Sequence, residues 1–292
     1  MKKNLVKKAV LPALAALVCS VIALTSVSYA WFTIGDKATV EGVQMNVTAA
    51  DGLQISATGN ASDFKSTLDM DALKAVEDDE KKKLNNFPKG SVAPVSTVAT
   101  VTNGQMTFYL GTLNNGVLEA TEDTSKANVI YFDIYVKSSA KRDLILESIS
   151  KVEKVNDKET YLASRVAFFD MGSHATAAGA QALSDVDGTA VIWEPNSTIR
   201  STAYTNAVPE ASRETGKVDY EGIKSVSGKT PSLEAVTTSD NATDLTLCEM
   251  EAGYNKIRVF IWLEGQDVDC LNEISGGSFK VTLNLKQGTV KQ

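Results

Sequence analysis

Val129-Ile130-Tyr131-Phe132-Asp133-Ile134-Tyr135-Val136-Lys137 is the stretch that decides the fold. Ile130, Phe132, Ile134 and Val136 alternate with Tyr131, Asp133, Tyr135 and Lys137, and this period of two predicts a strand with one buried face. Phe279–Lys286 repeats the pattern, with Phe279, Val281, Leu283 and Leu285 inward. Lys256–Leu263 turns Ile257, Val259, Ile261 and Leu263 inward but carries Phe260 and Trp262 on its other face, so it should be covered on both sides. Weaker strand patterns lie at Val40–Thr48, Gln105–Leu110, Leu144–Ile149, Ser164–Asp170, Ala190–Trp193 and Thr243–Met250. Many short strands separated by Gly, Asn and Asp predict an all-β fold, an antiparallel β-sandwich or jelly roll.

Two insertions interrupt the strands, near 62–90 and 200–241. In the first, Ser62 can cap a short helix carrying Phe64, Leu68, Leu73 and Val76, with Glu77–Lys83 as a solvated continuation. The second is rich in Ser, Thr, Ala, Gly and charge with little periodicity, and reads as a flexible or irregular surface segment.

The N-terminus speaks to location. Lys2, Lys3, Lys7 and Lys8 precede an apolar run from Ala9 to Val27, then Ser28-Tyr29-Ala30 and Trp31-Phe32-Thr33. A basic start, an apolar core and small residues at Ser28 and Ala30 predict export and cleavage by a signal peptidase, with Trp31 as the new N-terminus. Retention of residues 1–30 as a membrane anchor is the alternative. Residues 31–292 then form a single β-sandwich domain, secreted or held at the cell surface, touching the membrane only through the N-terminal segment before cleavage. Taking the four leader lysines from 29 basic residues leaves 25 against 36 acidic ones, a net charge of −11. That balance argues against a nucleic-acid partner.

Candidate chemistry is sparse. His174 is the one histidine, too few for a zinc protease, and no Gly-x-Ser-x-Gly turn presents a nucleophile. His174, Cys248 and Arg258 keep the order of a sortase-like transpeptidase, although Leu247 stands where such motifs place threonine before the cysteine. Cys248 and Cys270 make an even pair in an exported chain, which suggests a disulfide. A hairpin of 243–250 with 256–263 would set Cys248 opposite Arg258, so the loop Glu264–Asp269 would have to double back to bring the Cα atoms within about 7 Å. Glu264, Asp267 and Asp269 cluster in that loop and are candidate calcium ligands, or else an acidic solvated turn; no other cofactor is indicated. Tyr131 and Tyr135 could stack a sugar or pack beneath an insertion. Asn46, Asn60, Asn196 and Asn241 head Asn-x-Ser/Thr sequons.

The junction Ser28-Tyr29-Ala30-Trp31-Phe32-Thr33 resembles exported proteins of the TasA/camelysin type from Gram-positive bacteria. Ile261-Trp262-Leu263-Glu264-Gly265-Gln266-Asp267-Val268-Asp269-Cys270 is similar to uncharacterised clostridial exported proteins with the same kind of N-terminus. The resemblance covers these segments and the β-rich pattern; Thr33-Ile34-Gly35 departs from it by delaying the first acid to Asp36. It implies a subunit of an extracellular biofilm-matrix fibre or pilus, a homopolymer joined through its N-terminal strand. The camelysin label also implies proteolysis, which is not carried over because the sequence holds no metalloprotease motif, and a non-enzymatic protein is expected. A surface adhesin or carbohydrate-binding module is the rival reading.

Overall fold

The computed structural model describes residues 44–49, 52–76, 85–88, 90–115, 117–207, 221–235, 238–240 and 242–291. In chain order the strands are β1 (Gln44–Ala49), β2 (Gln54–Ser56), β3 (Thr67–Asp69), β4 (Ser96–Thr102), β5 (Gln105–Asn114) and β6 (Val117–Glu122). They continue as β7 (Ile130–Ser138), β8 (Arg142–Leu146), β9 (Lys151–Lys154), β10 (Ser164–His174), β11 (Gly188–Thr189) and β12 (Val191–Trp193). The last are β13 (Glu221–Ser227), β14 (Thr230–Ala235), β15 (Leu245–Met250), β16 (Gly253–Leu263) and β17 (Phe279–Val290). Among the described residues three short α-helices intervene: α1 (Met70–Lys74), α2 (Ala177–Gln181) and α3 (Thr202–Ala207). The fold is all-β, as the alternating pattern predicts. No helix among the described residues is long and apolar enough to cross a membrane.

The strands form stacked sheets. One has the order β15-β8-β17-β1-β3, with β9 also on β17; the central one runs β12-β10-β16-β7-β2; a third runs β11-β4-β5-β6. Every pairing of these strands is antiparallel except β1 with β17, where Gln44 lies beside Lys280 and Ala49 beside Leu285. The central sheet has two apolar faces. Ile130, Phe132, Ile134 and Val136 of β7 and Ile257, Val259, Ile261 and Leu263 of β16 meet Phe279, Val281, Leu283 and Leu285 of β17. Each such side chain, fully buried, contributes about 1.5–3 kcal/mol. On the opposite face Tyr131, Phe260, Trp262, Ala167 and Phe169 meet Ala99, Val101, Met106 and Phe108 of the third sheet. β16 is therefore covered on both sides, as Phe260 and Trp262 indicate. β7 is too: Tyr131 packs against the third sheet and Asp133 and Tyr135 are also buried, where the alternation predicts an open face.

Asn103 and Gly104 connect β4 to β5 with φ of 50° and 67°, and Thr102 pairs with Gln105 across them. Two successive positive φ values are what a two-residue hairpin turn requires, and Asn-Gly supplies them at little cost. Gly104 is also hemmed in, since a Cβ there would lie 2.5 Å from the Ser184 carbonyl oxygen.

The insertions differ from expectation. The helix of the first is α1, capped by Asp69, whose Oδ1 accepts the Ala72 N–H at 2.8 Å, and not by Ser62. Leu68 belongs instead to β3, paired with Val47 of β1; β pairing has overridden a loose helical spacing. Glu77–Lys83 lies outside the described residues. The second insertion contains α3 and the hairpin β13–β14, whose Val226 packs with Val98, Tyr109 and Ala120 on the outer side of the third sheet. β15 and β16 are consecutive but belong to different sheets, so the expected hairpin between them is absent.

Candidate functional site

Arg165, Asp133, Lys256 and Arg258 all project from the same face of the central sheet as Tyr131, Phe260 and Trp262, because the pleat sets alternate residues on one side. The register pairs Asp133 with Arg258, Tyr131 with Phe260 and Arg165 with Trp262. Charge therefore gathers at two ends of an apolar patch.

At one end two cations surround one acid. Arg258 donates from Nε and Nη2 to the two oxygens of Asp133 at 2.7 and 2.9 Å. Lys256 Nζ lies 3.1 Å from Asp133 Oδ2. The remaining donors find main-chain oxygens: Arg258 Nη1 donates to Gly104 at 2.7 Å, and Lys256 Nζ to Leu183 at 2.7 Å. Tyr131 and Tyr135 lie under the cationic groups and are buried, with Lys256 Nζ 5.9 Å from the Tyr135 ring. A sugar-stacking platform at Tyr131 and Tyr135 is thereby excluded.

At the other end the balance is reversed. Arg165 Nη2 donates to Glu194 Oε1 at 2.9 Å and to Asp267 Oδ2 at 2.5 Å, with all three side chains at most 3% exposed. Asp267 Oδ1 accepts the Asp269 N–H at 2.7 Å, and Asp269 Oδ1 accepts the Ser201 N–H at 2.6 Å. Glu264, fully buried, accepts from Trp262 Nε1 and from the Gln266 N–H, both at 2.9 Å. Glu194 Oε2 accepts the Thr238 hydroxyl at 2.7 Å. Burial, and then the charge of Asp267 beside it, push the Asp269 carboxyl up to about 6.

This arrangement corrects two expectations about Glu264, Asp267 and Asp269. The loop is not a solvated turn, since all three are buried. Nor is it a calcium site: their oxygens are turned to Arg165, Trp262 and main-chain N–H groups, and no cluster among the described residues is placed to hold a metal ion. Calcium wants six to eight oxygen ligands, and a guanidinium in their midst opposes it.

Cys248 and Cys270 are free thiols, so the expected disulfide is not formed. Cys248 pairs with Leu144 in the first sheet, whereas Cys270 packs with Ala163 and Ile274. Burial and the carboxylates of Asp170 and Asp143 push the Cys248 thiol up, the reverse of what a thiolate nucleophile needs. Arg258 is committed to Asp133, and the exposed His174 takes the Thr176 N–H on Nδ1 at 3.0 Å, so these three residues do not make a sortase-like centre. Asn196 is buried, Asn60 is exposed, and Asn241 lies outside the described residues. Ser28, Ala30 and Trp31 lie outside them too.

A crevice lined by Val92, Asn128, Ile130, Ile261, Trp262, Leu263 and Phe279 has about 10 Å³ of room, enough for one water. The residues that sequence reasoning missed are Arg165, Glu194, Ser201 and Thr238. Arg165 is the second residue of β10 and stands opposite Trp262, and a basic residue at the head of the apolar run Val166–Phe169 is the one signal of its role. No family model matches the chain, and no curated protein or solved structure matches it.

Proposed function

We propose that the protein is an exported structural subunit of the cell surface or extracellular matrix, of the TasA/camelysin kind, that associates with copies of itself through the chain leading into β1. The observation that carries this reading is the parallel pairing of β1 with β17. The chain enters the fold as a strand laid beside its last strand, covered on the far side only by the three-residue β3. Main-chain hydrogen bonds of that kind can be supplied by the same segment of a neighbour, and such a head-to-tail contact propagates without closing. Residues 44–49 take their place in their own sheet, so either the segment ahead of them reaches the neighbour or β1 itself is exchanged. The charged interior groups supply stability in this reading, and no catalytic step is assigned to them.

Electron microscopy of protein beginning at Trp31, beside protein lacking Trp31–Asp36, tests the proposal. Filaments are expected from the first and a folded monomer from the second. A Trp31 form that stays monomeric at high concentration and across pH would overturn self-assembly and favour the adhesin.

A further inference from the structure

The acid-rich cluster does more than fill the interior, because its hydrogen bonds lead to both ends of the second insertion. Asp269 holds the Ser201 N–H, and Ser201 in turn receives the Tyr204 N–H on Oγ at 3.0 Å, at the start of α3. At the far end Glu194 holds the Thr238 hydroxyl, its N–H donates to the Ser239 carbonyl, and Ser239 donates back to Ile192. Arg165 joins the two halves through Glu194 and Asp267. One continuous buried network thus fastens residues 201–207 and 238–240.

We propose that this network is a pH-responsive latch that grips the two roots of the insertion more firmly as the surroundings become acidic. The charges around Asp269 require a response of this sign. Asp269 is faced by Asp267 and Glu264 from its own loop, Arg165 from β10 and Arg200 from the segment before α3. Tyr161 and the Cys270 thiol, neutral in this range, adjoin it, and Glu159 acts on the same root by accepting from Thr202 N and Oγ1. Glu194 joins the acids through Arg165. Carboxylates outnumber guanidinium groups, and a proton on Asp269 relieves its repulsion with Asp267 while its Oδ1 can still accept from Ser201.

The folded state holds that proton to about pH 6, above the ordinary carboxylate value near 3.8, so folding takes up protons in this window. The stabilisation is complete below the unfolded value and is lost as pH rises through about 6. Asp170, also raised by burial, adds the same sign elsewhere on β10, so a variant is needed to isolate Asp269.

The test compares full-length mature protein with Asp269→Asn at pH 5 and 7.5, following the melting midpoint and hydrogen exchange corrected for intrinsic pH dependence. Wild type should lose a few degrees or more between pH 5 and 7.5, and exchange at 201–207 should quicken by about tenfold. Asp269→Asn should keep slow exchange at 7.5 and show a shallower pH profile. An unchanged pH profile in the variant overturns the latch. Should the variant not fold, wild-type exchange decides alone: equal corrected rates at 201–207 at the two pH values overturn it.

Discussion

The two charged ends of the central sheet's second face solve the same problem with opposite materials. Around Asp133 there is surplus positive charge, and the spare donors of Lys256 and Arg258 end on the carbonyls of Leu183 and Gly104. Around Arg165 there is surplus negative charge, and the spare carboxylate oxygens end on the N–H groups of Ser201, Gln266 and Asp269. Buried ions need hydrogen bonds in full, and a partner of opposite charge is only one source. The main chain is the other, with carbonyls for cations and amides for acids. The ends differ in consequence. At the acid-rich end a crowded carboxylate, Asp269, can take up a proton in mild acid.

Substitutions at the two ends separate their contributions. Arg165→Met should have the largest effect, about 3–5 kcal/mol in urea denaturation at neutral pH, because it leaves Glu194 and Asp267 buried without their cation. A loss below about 1 kcal/mol would mean that the amides alone carry the acids. Asp133→Asn should cost less, about 3 kcal/mol, since Arg258 and Lys256 retain their carbonyl acceptors, and it should gain nothing from acid. Lys256→Met should cost least, about 1 kcal/mol, because the two-pronged Asp133–Arg258 pair survives the loss of the lysine's contact with Asp133 Oδ2 and of its donation to the Leu183 carbonyl. If Lys256→Met proved as damaging as Asp133→Asn, the lysine would be integral to the pair and no surplus would exist.

What the sequence shows and hides follows from how far apart the partners lie. Phe260 and Trp262 disclose two buried faces on β16 because strand period and apolarity are local. Tyr131, Asp133 and Tyr135 on β7 read as an outward face, since their cover comes from the third sheet over Tyr131, from Arg258 and Lys256 around Asp133, and from Gly59 and Lys256 beside Tyr135, none of which periodicity can see. Glu264, Asp267 and Asp269 look like a surface loop because the residue that neutralises them, Arg165, stands about a hundred positions earlier and carries no mark of acidic company. Cys248 and Cys270 suggest a bond by count alone, and the assignment of β15 and β16 to different sheets separates them. The hairpin β13–β14 was concealed by its own composition: Gly222, Ser225, Ser227, Gly228, Pro231 and Ser232 dilute the alternation that would reveal it. Between Ile223 and Ser225 its register also slips.

The parallel contact of β1 with β17 has a consequence for the order of events. It joins the first described strand to the last, so a chain emerging N-terminus first, from a ribosome or across a membrane, holds β1 without its partner until almost every later residue has arrived. Loop closure over such a distance carries a large entropic cost that later contacts must repay, and contacts of high sequence separation form slowly. During that interval the edge of β1 that faces away from β3 is open to any matching strand within reach. The wait built into the topology is long for a lone molecule and short in a crowd.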